Sequence, residues 1–158
     1  MTVKRIYSAS FDNITVTAAQ DLLSLKAGAN NGVAIRRISL SASGVSAAAE
    51  IRLRLKRFSG ATITAGSAGT APTMNKVADR NPNSATATAR ANDTTQATTT
   101  GTNSTLATWN WDVLQDFLET PPTEEERWEC DASNELIFDV IAAPASTVLS
   151  GFIVWEET

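Results

Sequence analysis

Cys130 is the one cysteine of this chain, and no imidazole exists to activate it, because the 158 residues include no histidine. That absence removes Ser-His-Asp and Cys-His catalysis and most zinc sites, and with them the commonest general base near neutral pH. The neighbours of Cys130, Glu129 and Asp131, raise a thiol pKa rather than lower it. Paired carboxylates could hydrolyse a glycosidic bond, but among 17 acidic residues no pair is marked out by its setting. Gly60, Gly66 and Gly69 do not make a phosphate loop, and no calcium loop is present. The expectation is a protein that is not an enzyme, with no catalytic residue, no cofactor and no metal.

Charge patterning offers more. Arg52, Arg54 and Lys56 alternate with Ile51, Leu53 and Leu55, which aligns three cations on one face of a strand. Two readings follow. The face is either solvated, with cross-strand acidic partners such as Glu129 or Asp139, or an electrostatic dock for an acidic protein surface. The run Glu124-Glu125-Glu126 reads as a solvated loop or a partner for a basic surface. Asn13, Asn92 and Asn103 head Asn-x-Ser/Thr sequons, which a Thr-rich chain produces by chance. Of the four tryptophans, Trp109 and Trp111 alternate with polar residues and are expected in the core. Trp128 is the best prospect for an exposed ring.

The elements that must position these residues are strands. Val3, Tyr7, Ala9 and Phe11 alternate with polar residues, and Leu23, Leu25 and Ala27 form a second run before Gly28 and Asn30-Asn31-Gly32. Between Val33 and Ser43 the apolar phase flips, which predicts a bulge near Arg36-Arg37. Residues 59–105 are rich in Ala, Thr, Ser, Gly and Asn. Within them the alternation of Ala85 to Ala91 and a short run at Ile63 predict thin strands that need a neighbour to cover. Gly66 to Thr73 and Asn92 to Asn103 are expected to be partly loop.

Leu106 to Val113 and Leu136 to Ala142 are further strands, with a turn at Pro144. Val113, Leu114, Phe117 and Leu118 fit one face of a short helix near 113–119, stopped by Pro121-Pro122. In the last strand, Thr147 to Trp155, both faces are apolar. Leu149, Ile153 and Trp155 lie on one, and Val148, Phe152 and Val154 on the other, so cover is expected on both sides, from the fold itself or from another subunit. Eight to ten strands so spaced predict an all-β sandwich or barrel, one domain over 1–158 with an insertion at about 59–105.

A net charge of −4 lowers any expectation of nucleic-acid binding, which depends on excess Lys and Arg. No apolar run is long enough to span a membrane, and the first residues do not read as a signal peptide. Synthesis and assembly in a cytoplasm are expected.

Three stretches carry a family resemblance. They are the Lys56-Arg57-Phe58-Ser59-Gly60 corner with Thr70-Ala71-Pro72 after it, Ala85 to Asn92, and the ending Ser150-Gly151-Phe152-Ile153-Val154-Trp155-Glu156-Glu157 behind Pro121-Pro122 and an acidic stretch. Together they resemble the small virion proteins of tailed bacteriophages that decorate or cement the head. The resemblance implies a jelly-roll subunit, a homotrimer, that binds the major capsid protein on the virion surface after assembly in the host cytoplasm. The expected interface residues are Arg52, Arg54, Lys56, Phe152, Val154, Trp155 and Trp128. The competing reading is a receptor- or carbohydrate-binding sandwich of a tail fibre or baseplate.

Overall fold

A computed structural model describes residues 4–45, 47–60, 62–78, 80–142 and 146–158. Among them there are thirteen strands and no helix. In chain order they are β1 (Arg5–Val16), β2 (Gln20–Lys26), β3 (Val33–Ser43), β4 (Glu50–Ser59), β5 (Ile63–Thr64), β6 (Asn75–Lys76) and β7 (Thr88–Asp93). The remainder are β8 (Thr98–Thr99), β9 (Thr102–Asp112), β10 (Phe117–Glu119), β11 (Glu129–Cys130), β12 (Glu135–Ala142) and β13 (Thr147–Glu157). The strand count exceeds the expected range because five of these strands have only two or three residues. Val3 and Pro144 lie outside the described residues.

Two antiparallel sheets stack. The first runs β10-β3-β13-β1-β6, with β11 also on β3; the second runs β7-β2-β12-β4-β9. Setting aside β6, β7 and β11, the chain winds between β10-β3-β13-β1 and β2-β12-β4-β9. That is the strand order of a jelly roll. The core lies between the sheets. Tyr7, Ala9, Ile38, Leu40, Ile153 and Trp155 meet Leu23, Leu25, Leu53, Leu55, Phe138 and Val140, all buried. Each large side chain so buried is worth about 1.5–3 kcal/mol, and the period-two alternation aims them all inward.

The bulge in β3 is at Arg36. Val154 pairs with Arg37 but Trp155 pairs with Ile35, so Arg36 is the extra residue. It lets Ile35 and Ile38 both face the core despite their opposite parity. A second irregularity, at Asp12-Asn13 in β1, holds Asn13 at φ 53°.

The helix expected near 113–119 does not form. The segment turns on hydrogen bonds to Asp112, from the Leu114 and Gln115 amides, and Phe117–Glu119 then pairs with β3. A helix of under two turns cannot offset its nucleation cost. The strand instead buries Phe117, stacked on Phe138 at 5.7 Å, and leaves Leu114 and Leu118 outside.

The insertion adds a short strand to each sheet, and its β5, β8 and Gln96-Ala97 stretch covers the outer face of the second. β7 extends that sheet beside β2, with Ala87, Ala89 and Ala91 buried. The paired β5 and β8 lie near a small apolar cluster of Phe58, Ala97 and Ile137, with Ile63 packed on it. Small residues suit this layer because they let a backbone lie close to the sheet. A Cβ on Gly69 would collide with the Ala91 carbonyl oxygen.

Candidate functional site

The cation ladder on β4 separates into one exposed and two engaged residues. Arg52 is exposed, and among the described residues it makes no ion pair. The Arg54 guanidinium donates twice to Asp139 on the adjacent β12, from Nε at 3.1 Å and from Nη2 at 2.6 Å. Lys56 is only 4% exposed, with its Nζ 2.9 Å from Asp139 Oδ2 and 3.6 Å from Asp21 Oδ1. Its ammonium also lies 5.2 Å from the centre of the Phe58 ring.

The docking-face reading is therefore corrected for Arg54 and Lys56. Their charges are neutralised within the subunit by carboxylates on neighbouring strands, beneath the insertion. Of the two partners expected from sequence, Asp139 is one. Glu129 instead offers its backbone carbonyl to Arg57.

Sequence reasoning missed Asp21 and Gln96. Gln96 Nε2 donates to both Asp21 and Asp139, and the Ala97 amide donates to Asp21 Oδ2 at 2.7 Å. Burial pushes the Asp21 carboxyl above its ordinary pKa, against the Ala97 amide and Lys56. The available signal was a carboxylate set within an apolar run, Asp21 before Leu22-Leu23 and Asp139 after Ile137-Phe138.

Two further carboxylates hold the insertion in the same way. Asp93 accepts from Gly69 N and from both arms of Arg90. Glu157 accepts from the amides of Thr86 and Ala87, the Thr86 hydroxyl and Arg5. Each such charge-assisted bond is about twice as strong as a neutral one.

The last strand resolves its double apolar face into two environments. Trp155, expected at an interface, is fully buried and packs against Tyr7 at 5.9 Å. That is a correction: strand parity sends it inward with Leu149 and Ile153. Val148, Phe152 and Val154 point out of the first sheet and are half-buried. Among the described residues no second layer of strands stacks on them. Ser8 and Ser10 of β1 and Ser39, Ser41 and Ser43 of β3 flank this row, with Ser150 inside it.

A shallow depression of about 310 Å³ lies beside Phe152, lined by residues that include Ser10, Ser39, Ser41, Ser150 and Gly151. Farther along the same face a second depression is bordered by Ile6, Arg36, Arg37, Arg127 and Val154. Arg36 and Arg127 both bond Glu156 there at 3.0 Å. Arg37 is exposed, and no ion pair to it is found among the described residues.

Trp128 is half-buried, edge-on to Trp109 at 5.7 Å, in an aromatic cluster that continues to Phe117 and Phe138. The Trp109 indole donates to Glu119. Burial pushes the Cys130 thiol up to about 12, far from a reactive thiolate. In the acidic run, Glu124 pairs with Lys4 and Arg127, and those bonds lower its pKa.

Comparison of the chain with protein-family models, with curated proteins and with solved structures returns no match.

Proposed function

We propose that this chain is a structural protein of a bacteriophage virion that decorates or cements the head. In this reading it acts by protein–protein contact and catalyses nothing. Its partners are the major capsid protein and further copies of itself.

The observation that carries the reading is the open row Val148, Phe152 and Val154 on the outer face of the first sheet. A half-buried apolar row on a broad, hydroxyl-flanked sheet suits full burial against another protein. Many copies, each making modest contacts, would hold a shell through multivalency. The resemblance of the chain's ending and of its 56–72 and 85–92 segments to head decoration proteins supports the same reading.

Cryo-electron microscopy of the parent particle, with mass spectrometry of its proteins, tests it. Density for this sandwich on the outer surface of the head, in many copies, is the expected result. Absence of the chain from purified particles, or density confined to the tail, overturns it.

A further inference from the structure

We propose that the outer face of the first sheet pairs with the same face of a second copy about a two-fold axis centred on Phe152. The pairing does not depend on the virion reading; it follows from the self-complementarity of the face.

Three features set this geometry. The first is that an aromatic ring and a hollow lie side by side: Phe152 is half-buried and lines one side of the serine-bordered depression. In a two-fold contact the residue that fills a site on one copy receives the same filling from the other. Because the axis passes through Phe152, the two rings meet each other at the centre, and the depression beside each faces the apolar row of the second copy.

The second feature is charge. Arg37 on β3 is level with Val154, two residues beyond Phe152 on β13. Asp12 on β1 is exposed and accepts a hydrogen bond from Ser150, two residues before Phe152. The two charges stand at opposite ends of a diagonal through Phe152, roughly 15–17 Å apart by strand spacing and rise. A two-fold axis in the plane of the face, perpendicular to that diagonal, lays each Arg37 over the Asp12 of the second copy. Such rim pairs add little affinity, but they fix orientation.

The third is area. Three strands about 4.8 Å apart and some ten residues long cover about 500 Å². Leu118 on β10, 62% exposed, and Val77 just past β6, 54% exposed, widen the apolar area on both flanks. That approaches the roughly 800 Å² per partner of a stable interface, with an aromatic anchor at its centre.

Sedimentation equilibrium and light scattering of the full chain test the pairing. The wild type is expected at twice the chain mass. Phe152→Glu and the milder Phe152→Ser are expected at the monomer mass, with unchanged circular dichroism. Arg37→Asp and Asp12→Arg should each weaken the pair at least ten-fold, and the double reversal should restore it. A wild-type monomer at 100 micromolar or a trimer overturns the two-fold. So does a dimer indifferent to Phe152, or charge reversals that fail to rescue one another. Composition of the virion plays no part in these readouts, so failure here and failure of the virion reading are separate results.

Discussion

Lys56 Nζ lies 2.9 Å from Asp139 Oδ2, with both side chains sealed beneath the insertion. Asp21 and Arg54 complete a group of two cations and two carboxylates whose charges cancel. Such a group costs desolvation to form, and removing one member costs more, because a buried charge is then left without its partner.

Lys56→Met should therefore destabilise the fold by about 3 kcal/mol. Asp21→Asn in the same chain should recover part of that loss, since the amide oxygen still accepts from Ala97 and Arg54 still neutralises Asp139. Urea unfolding of the four members of the cycle measures the coupling. Additive losses would mean that Lys56 and Asp21 do not interact.

Glu135 gives a pH dependence with a definite sign. Burial raises its carboxyl pKa, opposed by Ser24 and Lys26, and its Oε2 finds no hydrogen-bond partner among the described residues. The folded chain holds this proton more tightly than the unfolded chain. Stability from this group is thus full below its ordinary value of 4.5 and is lost as pH rises through the raised folded value. Glu135→Gln removes the titration. Its thermal midpoint should exceed wild type at pH 7 by the equivalent of about 1 kcal/mol and converge with it below pH 4. A constant difference across pH would show that Glu135 is not the group responsible.

Gly69→Ala tests how the insertion is fastened. The added methyl meets the Ala91 carbonyl oxygen and the Asp93 carboxylate, and so disturbs the bridge between Thr70 and Ala91. A loss of about 2 kcal/mol is expected, with faster amide exchange at Thr70, Ala91 and Ala97. Exchange along β1, β3 and β13 should stay at its wild-type rate. Acceleration spread evenly over both sheets would instead show that the insertion and the sandwich open as one unit.

Much of the sandwich was legible because a strand repeats every two residues, and burial on one side writes that period into the sequence. Ile51, Leu53 and Leu55 show it directly, and the phase flip between Ile35 and Ile38 located the bulge at Arg36. The segment from Val113 to Leu118 misled for a related reason. Four apolar residues at helical spacing look the same whether or not a neighbouring strand edge is open, and here β3 offered one.

The candidate surface was legible only in outline. Alternation told that Phe152 and Val154 oppose Trp155, but not which side the second sheet would occupy. Nor could it tell that the cations of β4 would meet Asp21 and Asp139 beneath a folded-over insertion.

By itself, then, the sequence determined the all-β class, the places where strands begin and bulge, and the lack of any imidazole for catalysis. These depend on residue type and near-neighbour spacing. Only the tertiary structure decided which face is core, which is sealed by the insertion and which stays open. Those outcomes depend on pairings between strands far apart in the chain, such as β1 with β13 and β4 with β12. No local period records them, because the energy of burying a face belongs to both partners at once.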